Sequence, residues 1–193
     1  MPRIGILALQ GDFEAHGRAL SKMGVDWQFV KMPAQLDEVD GLIIPGGEST
    51  TLLKLMAPIA MRPALESFYK QERPIFGTCA GLILLAQETR SPAQESLGFI
   101  DIVAERNAYG RQIDSFVGLG TPLVDVLNPP PLEMVFIRAP KIAQCGNAVT
   151  PLATCQDEVV LARQGHVLVA SFHPELTTDH RVHRYFLDMI PEK

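Results

Sequence analysis

The stretch that decides the fold is "RPIFGTCAGLILLA", residues 73–86. The β-rich apolar pair Ile75-Phe76 ends in "GTCAG", and the chain then passes at once into a helix-forming apolar run. A strand followed directly by a helix is the repeating unit of α/β folds. Cys79 stands at the turn itself, with a glycine two residues to either side. The sequence therefore predicts a buried strand, a tight turn and a helix, with a thiol where they meet.

The rest of the first half repeats this alternation. A strand pattern over residues 3–9 precedes a helical pattern that places Phe13, Leu20 and Met23 on one face. Nearly continuous apolar strands separated by helices indicate a buried parallel sheet with right-handed crossovers. Further strands are predicted at residues 27–31, 41–47 and 75–76, and further helices at 51–56, 61–71 and 80–86.

The second half contains short β-like runs with turn signals. These runs are "LGFIDIVA", "RQIDSFVG", "EMVFIRAP", "DEVVLA" and "HVLVASF", and Gln164-Gly165 is predicted to be a hairpin turn. An amphipathic helix is predicted at residues 181–189. We therefore expect residues 1–193 to form a single α/β domain. Its fold class is a three-layer α/β/α arrangement around a mostly parallel, mixed central sheet, of flavodoxin-like type.

Composition limits the function classes. The 193 residues are 47% hydrophobic and carry a net charge of −5, so one full core is expected and a basic nucleic-acid surface is not. The apolar runs are too short for a membrane span and the N-terminus resembles a strand rather than a signal peptide, which favours the cytoplasm. Cys79, Cys145 and Cys155 have no metal-ligand spacing, so we expect neither a disulfide framework nor a metal site.

Cys79 has the surroundings of a nucleophile. In open α/β sheets ligands bind beyond the carboxyl ends of the strands, where this turn would lie. The pattern Gly-x-Cys-x-Gly is the cysteine counterpart of the nucleophile elbow, and the helix N-terminus that follows favours a thiolate and offers an amide to an oxyanion. The alternative is a buried structural cysteine in a glycine-containing turn.

A nucleophilic thiol needs a base, and "ASFHPEL" supplies one. His173 and Glu175 stand two residues apart at the end of an apolar strand. In extended chain, residues i and i+2 point to the same side, about 6–7 Å apart at Cα, so the carboxylate can orient the imidazole. The other histidines, at positions 16, 166, 180 and 183, lack this arrangement, and we interpret them as surface or capping residues. Cys79, His173 and Glu175 form the predicted triad.

The stretch "IIPGGEST", residues 43–50, is the third candidate element. A strand that ends in Pro45-Gly46-Gly47 leaves backbone amides uncovered, which suits an oxyanion hole or a site for a carboxylate. The alternative is a simple turn followed by a helix N-cap at Ser49 or Thr50. The stretch lacks the spacing of a phosphate-binding P-loop, and no dinucleotide-binding glycine pattern follows the first strand.

These elements together resemble the class I, triad-type glutamine amidotransferases. The similarity is closest to the glutaminase subunits of the two-protein pyridoxal 5'-phosphate synthases and extends over nearly the whole chain. The cysteine elbow and His-x-Glu are class-wide, whereas "LALQGD", "RNAYGRQ" and "FIRAP" are specific to these subunits. One departure from the family pattern is visible at Val117, where an acidic residue is usual.

The resemblance implies a role for each matching position. Cys79 would attack the side-chain amide of L-glutamine, His173 would act as base and acid, and Glu175 would orient His173. The oxyanion hole would consist of the amides of Gly47 and Ala80. Gln10 would belong to the region that switches the oxyanion hole when the partner docks. The implied glutamine-binding positions are Gly46, Gly47, Glu48, Arg106, Ile137 and Arg138; without the resemblance, Arg106 beside Glu105 would be interpreted as a solvated surface residue.

The resemblance also implies a partner and no cofactor. The glutaminase releases ammonia to a separate (β/α)₈-barrel synthase subunit, which makes pyridoxal 5'-phosphate from a pentose 5-phosphate and glyceraldehyde 3-phosphate. Twelve glutaminase subunits surround a twelve-subunit synthase core in this family. Two alternatives remain: a triad amidotransferase that serves a different ammonia acceptor, and a non-catalytic regulatory or scaffolding subunit. The complete triad favours an enzyme over the second.

Overall fold

The computed structural model describes residues 2–106 and 115–191. The helices in these residues are α1 (Phe13–Lys22), α2 (Ser49–Met56), α3 (Met61–Lys70), α4 (Ala80–Leu85) and α5 (Arg181–Asp188). The strands are β1 (Arg3–Leu7), β2 (Asp26–Val30), β3 (Gly41–Ile44), β4 (Ile75–Thr78), β5 (Ala86–Arg90), β6 (Ile100–Glu105), β7 (Ser115–Pro122), β8 (Leu132–Ile137), β9 (Lys141–Cys145), β10 (Thr150–Cys155), β11 (Glu158–Gln164) and β12 (Val167–Ala170). None of the described helices is long and apolar enough to cross a bilayer.

One large mixed sheet organises the molecule. Its strand order in the described residues is β2-β1-β3-β4-β12-β11-β10-β7-β8. The pairings from β2 through β12 are parallel, and those from β12 through β8 are antiparallel. The predicted parallel half with antiparallel additions is therefore confirmed. A second sheet, β5-β6-β9, lies beside it.

Alternation along the central strands divides the core into two layers. Leu42 and Ile44 belong to one buried cluster, which includes residues of α2, α3 and α4. Ile43, between them, belongs to the other cluster, which includes residues of α1 and α5. Because successive side chains of a strand point to opposite faces, fully apolar strands can bury both faces under helices. The three-layer α/β/α class predicted from the sequence is confirmed.

Four adjacent parallel strands end at the same edge of the sheet. The chain leaves β1 toward Gln10, β3 toward Gly46, β4 toward Cys79 and β12 toward His173. Parallel strands have their carboxyl ends on one side, so stretches that are distant in sequence converge there. This convergence positions the candidate site.

The structure differs from the predicted elements in three places. The helix after the elbow ends at Leu85, and Ala86 begins β5, which pairs with β6. Strands β9 and β10 were not predicted. The β11–β12 hairpin turns at Gly165-His166, because Gln164 still pairs with Val167. Part of the predicted "RQIDSFVG" run lies outside the described residues, and its remainder begins β7.

Candidate active site

Cys79 occupies a strained elbow between β4 and α4. Its backbone adopts φ 49° and ψ −100°, a combination that L-residues rarely take and that is typical of functional turns. The Cys79 amide donates to the Ala170 carbonyl on β12 at 2.9 Å, and its own carbonyl accepts from the Ile83 amide at 3.2 Å. The predicted nucleophile elbow is thus held from both the sheet and the helix.

The two flanking glycines permit this turn for steric reasons. A Cβ on Gly81 would lie 2.1 Å from the Ile44 carbonyl oxygen, and one on Gly77 would lie 2.7 Å from the Gly81 carbonyl carbon. Both contacts are with backbone, which cannot move aside as a side chain can. The helix therefore packs against β3 and β4 at backbone distance, and this is why glycines stand two residues before and after the cysteine.

His173 and Glu175 form the predicted pair beyond the end of β12, but Glu175 lies in a short 3-10 helix (Pro174–Leu176) and not in the extended chain that the prediction assumed. His173 Nδ1 lies 2.7 Å from Glu175 Oε1, with both side chains buried. The His173 amide donates to the Val135 carbonyl of β8 at 2.7 Å, which fixes the backbone of the base. The other ring nitrogen, Nε2, is not used by Glu175, and interaction with Cys79 raises the pKa of His173.

The electrostatics favour a protonated His173. Burial alone would lower its pKa, but hydrogen bonds and charge attraction from Cys79 and Glu175 outweigh burial and raise the pKa of His173 to about 10. Burial would likewise raise the pKa of the Glu175 carboxyl, yet the neighbouring His16 and His173 rings lower it. The imidazolium can therefore hand a proton to a leaving group at neutral pH.

Gly46 and Gly47 form the wall opposite the elbow. A Cβ on Gly46 would lie 2.3 Å from His173 Cε1 and 3.3 Å from Cys79 Cβ, so only a glycine fits between base and nucleophile. The Gly46 carbonyl accepts from the Asp12 amide at 3.0 Å. A Cβ on Gly47 would lie 2.5 Å from Gln10 Oε1. The β1–α1 connection thus packs directly against the Gly46-Gly47 turn, which is called the oxyanion turn below because the Gly47 amide is predicted to belong to the oxyanion hole.

A cavity of about 230 Å³ brings most of the predicted residues together. It is lined by Asp12, Gly46, Gly47, Cys79, Ile137, Arg138 and His173. The Cys79 sulfur lies 3.8 Å from the Ile137 carbonyl oxygen, so the end of β8 closes the side of the cavity next to the nucleophile. Ala80 follows Cys79 at the start of α4, and its side chain is buried.

Glu48 and Arg106 lie at the margin and do not line this cavity. The Glu48 carboxylate caps α2 by accepting from the hydroxyls and amides of Thr50 and Thr51. These hydrogen bonds, that of the Thr50 hydroxyl most of all, lower the pKa of Glu48 to about 2. Arg106 Nη2 lies 3.5 Å from Glu48 Oε1. The Glu48 amide donates to Gln10 Oε1 at 2.9 Å. A helix does begin in this stretch, as the N-cap alternative proposed, but the capping residue is Glu48 and not Ser49 or Thr50.

Two histidines interpreted as surface or capping residues are in fact fully buried. His16 Nε2 lies 3.3 Å from Glu175 Oε2. On the other side of the same ring, His16 Nδ1 lies 3.1 Å from His183 Nε2. A sequence signal was present, because His16 falls three residues after Phe13 and four before Leu20, on the apolar face of α1. His166 and His180 are half-buried. Asp12 is a further cavity residue that sequence reasoning missed.

Within the described residues, no group of side chains has the composition to hold a metal ion. The arrangement brings a cysteine thiol, an imidazole and a carboxylate together beside uncovered backbone. A set of this composition can perform acyl transfer through a covalent thioester.

Comparison with known proteins identifies the family of this chain. The SNO glutamine amidotransferase family matches residues 6–192. A Thermosipho africanus protein named pyridoxal 5'-phosphate synthase subunit PdxT is 51% identical over 189 residues, covering 97% of this chain and 98% of the relative. A Solibacter usitatus protein of the same name is 49% identical over 193 residues, covering 98% and 100%.

A solved structure described as a glutamine amidotransferase superposes with a TM-score of 0.89 at 42% identity, covering 97% of this chain and 98% of that one. The family match, the identity to the relatives and the triad geometry agree. This chain belongs to the SNO glutamine amidotransferase family.

Proposed function

We propose that this protein is a glutaminase that hydrolyses L-glutamine to L-glutamate and ammonia through a thioester on Cys79. The observation that carries the proposal is the convergence of a strained Cys79, the His173–Glu175 pair and the Gly46-Gly47 turn on one cavity. Each of these features alone could have a purely structural role. Together, a buried nucleophile, base and carboxylate have the composition of a catalytic triad.

In the first step the Cys79 thiolate attacks the side-chain amide carbon of glutamine. The carbonyl electron pair moves onto oxygen, and the amides of Ala80 and Gly47 stabilise that oxyanion. When the oxyanion collapses, the carbon–nitrogen bond breaks and the leaving nitrogen takes a proton from His173 Nε2. Ammonia leaves, and the glutamyl group remains on the sulfur as a thioester.

In the second step water completes the reaction. The now neutral His173 takes one proton from water as the oxygen attacks the thioester carbon. The second oxyanion collapses and expels the Cys79 thiolate, and the new carboxylic acid loses its proton to solvent. Glu175 holds the imidazole through Nδ1 in both steps, so that Nε2 faces the reacting atoms.

Glutamine binding would use the cavity and its margin. We assign it to Gly46, Gly47, Glu48, Arg106, Ile137 and Arg138. Arg138 and Asp12 bring opposite charges to the lining, which complements the α-carboxylate and α-ammonium of an amino acid. Glu48 and Arg106 would act from the margin through their contact with each other.

The partner we propose is the synthase subunit of pyridoxal 5'-phosphate synthase, on the basis of the relatives' names. The ammonia would serve the synthesis of pyridoxal 5'-phosphate from a pentose 5-phosphate and glyceraldehyde 3-phosphate, in a complex of twelve copies of each subunit. Gln10 would transmit docking to the oxyanion turn, since it contacts Gly47 and the Glu48 amide. The free cysteines suit the reducing cytoplasm.

The test is glutamate release from L-glutamine by the purified chain, alone and mixed with the synthase subunit from the same genome. We expect release to appear or rise sharply on mixing, and Cys79→Ala to abolish it while preserving the fold and the docking. Full activity in Cys79→Ala would disprove the thioester mechanism. Release without stimulation by this synthase would indicate a different ammonia acceptor.

A further inference from the structure

Glu175 uses one of its two carboxylate oxygens for His173, and the other oxygen lies in a buried, polar environment. Oε2 is 3.3 Å from His16 Nε2, with both side chains inaccessible to solvent. No well-aligned hydrogen-bond donor reaches Oε2 within the described residues. A buried carboxylate oxygen without a donor is costly, so the nearby N–H of His16 is the natural partner after a small rotation of either group.

His16 is itself held on the side away from Glu175. Its Nδ1 lies 3.1 Å from His183 Nε2, and its Nε2 also lies 3.2 Å from Thr78 Oγ1, the residue before the nucleophile. The Phe76 ring packs edge-on against it. His16 therefore sits among β4, α5 and the turn that carries Glu175.

We propose that His16 is a positioning residue of the triad, which donates from Nε2 to Glu175 Oε2 and so fixes the carboxylate that orients His173. The inference rests on the proposed glutaminase function for its kinetic consequences. The chain of contacts extends from the cavity to α5. Its members, in order, are Cys79, His173, Glu175, His16 and His183.

The tautomers follow from donor and acceptor balance. An ionised carboxylate only accepts, so the proposed donation requires the proton of a neutral His16 to be on Nε2, where Thr78 Oγ1 then also lies on the accepting side. Its Nδ1 then accepts, and His183 must carry its proton on Nε2. Burial lowers the pKa of His16 despite attraction to Glu175 and Asp12, and the neighbouring His173 lowers it further, so His16 stays neutral. This assignment leaves a lone pair, rather than an N–H, on the unpartnered Nδ1 of His183.

The placement of His16 on α1 adds a second contact with the site. The connection that precedes this helix clamps the oxyanion turn through Asp12 and Gln10. The connection before α1 thus contacts the site at its oxyanion turn, and α1 itself contacts the site, through His16, at its carboxylate. A change in the position of α1 would therefore affect the Gly46-Gly47 turn and the Glu175 carboxylate together.

The test compares His16→Gln with His16→Asn. A glutamine amide can reach the position of Nε2, whereas an asparagine amide reaches only that of Nδ1. In the complex with the synthase subunit we expect His16→Asn to lower kcat about tenfold, the equivalent of one net hydrogen bond, with KM unchanged, and His16→Gln to stay near wild type. His166→Gln, which alters a half-buried histidine outside the chain of contacts, is the control and should match wild type.

A second readout does not depend on glutamine. Iodoacetamide alkylation of Cys79 in the free chain at pH 7 should slow severalfold in His16→Asn and not in His16→Gln. If wild type does not hydrolyse glutamine but the alkylation rates still separate the variants, the proposed function fails and the role of His16 survives. Equal kcat and alkylation rates in the two variants, whether wild-type or impaired, would overturn it.

A third measurement needs no variant. Nitrogen-15 NMR of histidine-labelled wild type reports which ring nitrogen is protonated, with the His16 ring identified by its proton contacts to Thr78, since Phe76 packs against both His16 and His183. We expect Nε2–H on both His16 and His183 at neutral pH. A proton on Nδ1 of His16 would rule out the donation to Glu175, even if neither variant folds.

Discussion

At the scale of single residues, the site combines strain with exclusion of side chains. Cys79 has a positive φ, and Gly46 fills the space between its Cβ and the ring of His173. Such conformations persist only where the surrounding structure imposes them, and here the amide contact to Ala170 does so. Stability and reactivity therefore oppose each other at these positions.

Two replacements of Cys79 measure the strain in its backbone separately from the reactivity of its thiol. Cys79→Gly and Cys79→Ala both lack the thiol, but only glycine adopts a positive φ without a Cβ penalty. We expect the glycine variant to be more stable than the alanine variant by about 1 kcal/mol. Urea unfolding of both variants measures the difference. Equal midpoints and slopes would mean that the elbow stores no strain.

Gly46→Ala should damage the site without unfolding the protein. The new Cβ would lie 2.3 Å from His173 Cε1, so the ring must leave its position beside Cys79. We expect glutamate release to fall by at least about a hundredfold, in the range seen when a positioned general acid–base is lost. Gly41→Ala, in the preceding strand, is the control, because its Cβ meets only the flexible tip of Ile190 at 3.1 Å and the edge of the Phe186 ring. Activity retained in Gly46→Ala would contradict the geometry.

His183 should contribute to acid sensitivity. Burial lowers its pKa from 6.5 to about 3, so the unfolded chain binds a proton that the folded chain excludes in this range. Stability is therefore lost as pH falls from 6.5 toward 3, with a limiting slope of about 1.4 kcal/mol per pH unit for this one proton.

His183→Gln removes the titrating imidazole and keeps a side-chain N–H donor toward His16. Urea unfolding at several pH values should show a shallower acid-side loss than wild type, and His180→Gln should not reproduce the change. Parallel stability curves for wild type and His183→Gln would show that His183 is not the titrating group.

At the scale of elements, α2 depends on one side chain at its start. Glu48 caps the helix by accepting from two backbone amides and from the hydroxyls of Thr50 and Thr51. We expect Glu48→Ala to lower the free energy of unfolding by about 1 kcal/mol, a typical loss for an N-cap. Glu14→Ala, an exposed acidic residue in the first turn of α1, is the matched control. Chemical denaturation gives both values, and an unchanged stability in Glu48→Ala would refute the cap.

The elements that sequence predicted well are those whose cause is local. The strand before Cys79, the elbow and the strand before His173 are each specified by neighbouring residues, and the structure confirms them. Ala86 was predicted as helix because its own apolar context favours helix. Its strand conformation comes from pairing with Ile100 in β6, which no local pattern reports.

The same reasoning explains the error at His16. Its position on the apolar face of α1 was visible, but its reason for being buried is Glu175, which is remote in sequence. Polar residues on an apolar face are predictable as buried only when their partner is known. The contact between His173 and Glu175 was predictable because the two residues stand only two positions apart in sequence.

At the scale of the whole molecule, Arg181 joins the C-terminal helix to the far part of the sheet. Its guanidinium donates to the carbonyls of Leu127 and Pro131 at 2.6 and 2.8 Å, contacts the Pro129 carbonyl, and pairs with Asp179. The planar fork of arginine suits several acceptors at once, which lysine cannot match.

We expect Arg181→Met to lower the free energy of unfolding by about 2–3 kcal/mol, because three backbone acceptors and a carboxylate lose their donor. Arg18→Met, whose partner Glu14 is equally exposed, is the control and should change stability by less than about 0.5 kcal/mol. Thermal or urea unfolding distinguishes them. A small effect at Arg181 would mean that packing alone holds the connection before β8.

The position of β12 has a consequence for synthesis on the ribosome. This strand, residues Val167–Ala170, is inserted in the large sheet beside β4, and it carries His173 and Glu175 immediately after it. A nascent chain that already contains Cys79 therefore still lacks β12, one of the two strands that pair with β4, and it also lacks His173. Pairings this distant in sequence form late and slowly. Under the proposed mechanism, Cys79 gains its base only after Glu175 has been translated and β12 has paired with β4, so a shorter nascent chain would not release ammonia.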